Sequence, residues 1–402
     1  MLGIIGYNFD FSRFGFLNRL TNENQRYIEG YLESSQTDID QAIITLTRIG
    51  LTKTTNGEIK PALATSWQIS QDGKNYDFTL VDKVKPEEIK NILMDSGEDW
   101  SNIQINAVGE HGLQFVLKKP FAPLLATLAN PIFEYGPYIL YLQTDSDTML
   151  KTNPNALIQP KIDEVIFRKY SDVKSLSLSL KDRRIDGTSE AVDDIRGFTR
   201  YELELNKLPA LICNIRVAPC NDLAWRTKFF SDKNNDSSQN VEIIALDNSE
   251  NRKILSKETL ELKVRNFNVN IKWVNFGELM ENILPERKYQ LLFTGIDYGI
   301  DNDPYPFWHS SQIEYPGLNL SGINDYTLDQ ILEHYRVAVG KDVRSNYWQE
   351  FEKKRQELYL AKLYSPIQDY YIISSNIKIQ NTVTKGFKSS DRFDNVEQWT
   401  RK

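Results

Sequence analysis

Three carboxylates, Asp297, Asp301 and Asp303, stand among Tyr298, Tyr305, Phe307, Trp308 and Tyr315 in the stretch YQLLFTGIDYGIDNDPYPFWHSSQIEYPGLNLSGINDYTLDQILEHYR, residues 289–336. Carboxylates interleaved with flat aromatics suit a ligand with a cationic end and a variable apolar body, and a peptide is the obvious example. An Asp meets an α-ammonium group through a charge-assisted hydrogen bond worth about 1.5–3 kcal/mol. Trp and Tyr faces accept varied side chains at low entropic cost. The same residues also serve ordinary turn chemistry, since Asp-Pro and Pro-Tyr steps fold loops and flanking aromatics anchor them to a core.

The elements that must position these groups are legible on either side. YQLLFTG is a short apolar run ending in Gly295, which predicts a strand buried on both faces. A helix is predicted from Thr327, where Thr-x-x-Gln330 offers a capping box and Leu328, Ile331, Leu332 and Tyr335 share one face. The loop between them is long for a compact domain, and Pro304, Pro306 and Pro316 stiffen it.

The pattern from 241 to 295 alternates strand and helix: VEIIAL, a helix at 249–264, VNIKWVNF, GELMENIL, then YQLLFTG. Such alternation predicts a parallel sheet with right-handed crossovers, whose ligands sit beyond the carboxyl ends of the strands. The loop after Phe293 is at one of those ends. Earlier in the chain a helix is predicted at 39–51, a turn at 55–57 and a hairpin at 61–84 about Asp72-Gly73, with a second strand pair about His111-Gly112. Together these make a small antiparallel subdomain. EVIFRKY at 164–170 and LICNIRV at 211–217 read as strands, VKSLSLSLKDRR as a helix, and SDKNNDSSQN at 231–240 as an exposed loop. A helix at about 342–363 and a strand at 370–379 close the sequence. If that last strand pairs with the first half, the chain crosses between lobes at least twice, which makes a hinge.

The chain has 402 residues, 40% hydrophobic and 11% aromatic, enough for a large core divided into at least two lobes. A formal charge of −7 gives no basic footprint for nucleic acid or an anionic membrane. No apolar run approaches the roughly 18 residues of a spanning helix, and residues 1–26 read as an irregular N-terminal extension without the pattern of a signal peptide. Cys213 and Cys220 are seven residues apart, compatible with a small disulfide loop or with two buried thiols. No zinc-ligand spacing, nucleophile elbow, phosphate-binding loop or dinucleotide fingerprint occurs, and His111, His309 and His334 are scattered, so the expectation is no enzyme, no metal and no cofactor.

Four stretches carry a family resemblance. LTRIGLTKTTNGEIKPALATSWQISQDGKNYDFTL, EVIFRKYSDVKSLSLSLKDRRIDG, DNDPYPFWHSSQ and LNLSGINDYTLDQILEHYR, in that order and spacing, resemble the extracytoplasmic solute-binding proteins of ABC importers, in the peptide- and nickel-binding class. The resemblance covers most of residues 27–380; KVKPEEIKNILMDSGEDW departs from the usual pattern. It implies a two-lobed α/β periplasmic-binding-protein-like fold with hinge crossings and a small antiparallel subdomain. The implied division is lobe one at 27–215, including a β-rich subdomain at about 52–130, lobe two at 216–365 and a return to lobe one at 366–402. It further implies a monomeric substrate-binding component, extracytoplasmic, that captures short peptides by hinge closure and presents them to a membrane permease. By the resemblance Asp297 or Asp303 meets the ligand's amino terminus, with Tyr305, Trp308 and Asn319 as further contacts. The alternative is a divergent, non-transporting relative that binds a protein partner.

Overall fold

The computed structural model describes residues 25–97, 100, 102–231 and 238–402. Nearly all of the expected extension at 1–26, and most of the polar loop expected at 231–240, lie outside these residues.

Three main sheets organise the described chain. An eight-stranded mixed sheet has the order Lys385–Gly386, Phe198–Leu205, Gln368–Ser374, Gly187–Thr188, Arg26–Leu32, Glu164–Tyr170, Asp147–Thr152, Tyr138–Gln143. A four-stranded antiparallel sheet, Ala64–Ile69, Asn75–Leu80, Gly112–Leu117 and Ile103–Val108, is the expected subdomain. The hairpin before it turns at Asn56 and Gly57, with φ of +52° and +78°, the left-handed pair that a two-residue turn needs. The third sheet is five-stranded, in the order Phe267–Val274, Gln239–Leu246, Leu291–Ile296, Leu208–Cys213, Ala361–Leu363. Its first three strands are parallel, as the strand and helix alternation requires, and the predicted helix at 249–264 is found as Ser249–Val264.

Each lobe has its own core. Tyr27, Tyr138, Phe167, Leu203, Tyr371 and Trp399 pack under the eight-stranded sheet, while Tyr289, Leu292, Trp308, Leu332 and Phe351 pack under the five-stranded one. Among the described residues no apolar cluster of buried residues joins the two. The chain leaves the first sheet at Leu205, enters the second at Leu208, and returns between Leu363 and Gln368. We therefore place the change of lobe at 206–207, not 215–216: LICNIRV pairs with Leu291–Ile296, and its strand stops at Cys213. The two crossings run side by side, with Leu205 N on Ile367 O at 2.9 Å, Ile367 N on Lys207 O at 3.1 Å and Tyr364 N on Pro209 O at 2.9 Å. The hinge is thus a single antiparallel ribbon.

Two boundaries differ from expectation for local reasons. The loop helix spans Tyr326–Val337 and is capped by Asp325, whose Oδ1 accepts from Leu328 N at 2.9 Å; a capping carboxylate two residues earlier displaces the Thr327 box. The helix expected to reach 363 ends at Glu357, because Tyr359 takes φ +48° and residues 361–363 are drawn into the sheet beside Leu208–Cys213. Cys213 and Cys220 form a disulfide.

Candidate functional site

The strand Leu291–Ile296 delivers the aromatic loop at its carboxyl end, as the parallel topology demands. The loop is tied to the hinge by Asn206, whose Nδ2 donates to Gly299 O at 3.2 Å and to Asn302 Oδ1 at 3.1 Å. Its carboxylates then have different fates. Asp301 accepts from both Nη atoms of Arg344, at 2.8 and 2.5 Å, and Asp303 accepts from Arg336 at 2.7 and 2.8 Å. Asp301 is thereby held in a two-pronged guanidinium fork, the geometry that best matches a carboxylate, whereas Asp303 takes both Arg336 nitrogens on Oδ2 and Tyr305 N on Oδ1 at 3.1 Å. Asp297 is exposed and accepts only from Gly299 N, at 2.9 Å, with no cationic partner among the described residues.

The aromatic candidates hold the loop in place. Trp308 is buried and its Nε1 donates to the Tyr298 hydroxyl at 3.0 Å. Asn319 is buried and its Nδ2 donates to the carbonyls of His309 and Ile323 at 3.1 and 3.0 Å. Tyr305 lies between the Arg336 guanidinium, 4.0 Å from its ring centre, and the His309 ring, also 4.0 Å away.

Two cavities meet at the tip of this loop. The contact cavity, about 460 Å³, lies between Ile69, Tyr76 and Leu125 of the small sheet's subdomain and Asp301, Tyr335 and Arg344 of the second lobe. The lobes touch beside it: Ala122 N donates to Arg336 O at 2.8 Å. Burial, and then the charge of Asp301, push the Tyr76 hydroxyl up to about 12. The cleft cavity, about 510 Å³, is walled by Ile49, Gly50, Pro61, Val81, Leu157 and Phe387 of the first lobe, and Ile300 of the second lobe faces it. Both volumes fall within the range of ligand sites, about 300–1,000 Å³.

Of the five residues read from the sequence, Asp297, Asp303, Tyr305, Trp308 and Asn319, none lines either cavity; the loop enters them through Ile300, Asp301 and Asn302. Sequence reasoning also passed over the segment SSDRFDNVEQ, which places Asp391, Asp394 and Glu397 in the lining of the cleft cavity. A signal was present. Acids three residues apart stack on one side of successive 3₁₀ turns, found here at Ser389–Phe393 and Val396–Gln398. Asp391 is committed, accepting from Phe387 N at 2.7 Å. Burial, and then Asp391, hold the Asp394 carboxyl well above the usual carboxylate range, while Lys53 and Lys388 pull it down.

No family model matches this chain. A probable D,D-dipeptide-binding periplasmic protein of Escherichia coli K12 is 35% identical over 89 residues, which is 18% of this chain and 17% of that protein. The match therefore spans about a sixth of the relative's length. Similar solved structures cover almost all of the chain. One is NikZ from Campylobacter jejuni in complex with Ni(L-His), with 16% identity, TM-score 0.72 and 94% of this chain and 100% of that one. Another is the ABC transporter substrate-binding protein CtaP of Listeria monocytogenes, with 15% identity, TM-score 0.77 and 94% and 99% coverage. A third is the periplasmic binding protein DppA of Helicobacter pylori in complex with the peptide STSA, with 17% identity, TM-score 0.68 and 94% and 98% coverage. At these identities the likeness is one of fold, and it spans 94% of the chain, which has a two-lobed, periplasmic-binding-protein-like architecture.

Proposed function

We propose that this protein is the extracytoplasmic substrate-binding component of an ABC-type importer, and that it takes a short peptide into the cleft between its lobes and presents it to a membrane permease. The observation that carries the reading is the cleft cavity, whose first-lobe wall is faced by Ile300 from a loop rooted at the hinge through Asn206. A ligand seated there touches both sides of the ribbon hinge, so its contacts stabilise closure over the open state. The fold neighbours bound to a peptide and to a nickel complex favour this reading, as does the Cys213–Cys220 disulfide, a bond of oxidising compartments. The role is capture and handover, without turnover.

Within the loop, the amine-binding part narrows to Asp297, the carboxylate no guanidinium holds, whereas Asp303, Tyr305, Trp308 and Asn319 set the loop's shape. Thermal unfolding against pools of free-amine and N-acetylated peptides tests both parts. A peptide at 100 times its dissociation constant adds about 2.7 kcal/mol of stability. Stabilisation by free-amine peptides, lost with Asp297→Asn, is the expected result; no shift with any peptide would end the peptide reading.

A further inference from the structure

One edge of the eight-stranded sheet is Lys385–Gly386, a strand of two residues that opens on a lysine; the other is Tyr138–Gln143, YILYLQ. Sheet edges left in water are ordinarily short, charged or covered, because their free N–H and C=O groups template pairing with another chain. The second edge is neither short nor charged. From Pro137 to Thr144 no charged residue occurs in a chain that is 26% charged, and Ile139, Leu140, Tyr141 and Leu142 are 42–54% exposed. Successive side chains of a strand point to opposite faces, so four exposed in a row put apolar surface on both faces of the hairpin with Asp147–Thr152. A shift of register between Leu140 and Leu142 is the one irregularity that blunts this edge.

The strand fits itself. Laid antiparallel on a copy about a two-fold axis between Leu140 and Tyr141, Ile139 falls opposite Leu142 and Leu140 opposite Tyr141. Apolar then meets apolar, and no like charges face each other although each chain carries a formal −7. The same register carries Asp145 of one copy to Gly136 of the other. Asp145 is exposed and has no ion pair among the described residues. Gly136 lies against the Thr47–Arg48 backbone, its N–H on Thr47 O at 3.2 Å. Arg48 is exposed there, with only a loose contact to Glu134 Oε1 at 3.7 Å. Each copy thus offers an acid at the hairpin tip and a guanidinium at the hairpin base, and a two-fold pairing brings them together twice.

We propose that Tyr138–Gln143 is a self-association surface, through which two copies of this chain join their eight-stranded sheets into one. The contact is isologous: it uses both long edges at once, so growth stops at two. This departs from the monomer that the resemblance implies.

Sedimentation equilibrium of the full chain without ligand, across a wide range of concentration, decides it. The wild type is expected to rise from one copy to two and no further. Leu140→Lys sets a charge at the centre of the pairing and should hold the chain at one copy, with thermal unfolding like the wild type because the side chain is half exposed. Asp145→Arg should weaken dimerisation by roughly twofold to thirtyfold, the scale of two exposed ion pairs, and the joint exchange Arg48→Asp with Asp145→Arg should recover it. A wild type of one copy at every concentration overturns the proposal, as does a dimer that Leu140→Lys leaves intact or a mass that climbs past two copies. A dimer indifferent to Asp145→Arg, or one that the joint exchange fails to recover, overturns the register on which the pairing rests. A dimer seen only after residues 1–24 are removed gives the edge to that segment of the chain and overturns pairing between copies.

Discussion

The two cavities at the loop tip are close in size and differ in how their acids are held. At the contact cavity Asp301 has Arg344, and beside it Asp303 has Arg336. In the cleft cavity no side-chain hydrogen bond or ion pair holds Asp394 or Glu397 among the described residues, although Arg48, Lys53, Lys83 and Lys388 line the same cavity. A satisfied charge is part of the scaffold, since it gains nothing from a newcomer. An unsatisfied one keeps its interaction free energy in reserve for a ligand. On this comparison the contact cavity is a seam between lobes, and the cleft cavity is the one the proposed ligand would enter.

The comparison is broken most forcefully at the seam. Arg344→Ala leaves Asp301 desolvated without its partner and should cost about 3 kcal/mol, the low end for a buried pair, because the Arg344 side chain retains 20% of its exposure. Denaturant unfolding measures this, and a loss under 1 kcal/mol would mean that the seam is not held by its charges. A smaller effect of opposite sign is expected in the cleft. The Asp394 carboxyl is held above its unfolded value, so its contribution to stability is greatest in acid and is lost as pH rises through the folded pKa. Asp394→Asn should therefore raise the melting temperature near pH 8 relative to the wild type, with the gap closing toward pH 4. A gap independent of pH would return Asp394 to the ordinary, partnered class. The smallest effect belongs to Asp297→Asn, a surface change expected to stay within about 0.5 kcal/mol in the absence of ligand. It sharpens the contrast by testing the proposed amine recognition apart from stability.

Much of this arrangement was legible in the sequence, because periodicity reports burial. The strand and helix alternation from 241 to 295 gave the parallel sheet and hence the end at which the loop emerges, and Asp72-Gly73 gave the hairpin of the small sheet. The loop itself was found from its composition. Its internal assignment was not, since Arg336 and Arg344 lie 33 and 43 residues beyond the acids they neutralise, and no local pattern announces such a pairing. The lobe boundary also escaped, because Leu208–Cys213 is equally apolar whichever sheet it joins. The acids at 391, 394 and 397 carried a three-residue period that is easily read as a solvated turn; only the fold shows that this turn faces a cavity.

The hinge ribbon has a consequence for how the molecule is made. Residues 208–363 form the five-stranded sheet and its packing as one uninterrupted insert, whereas the first lobe draws on both sides of it. Its core waits for the strand Gln368–Ser374, then Phe393, and finally Trp399. Along a chain that emerges from its N-terminus, the lobe begun first is completed last. Until Trp399 appears, the chain carries one finished half and one open sheet.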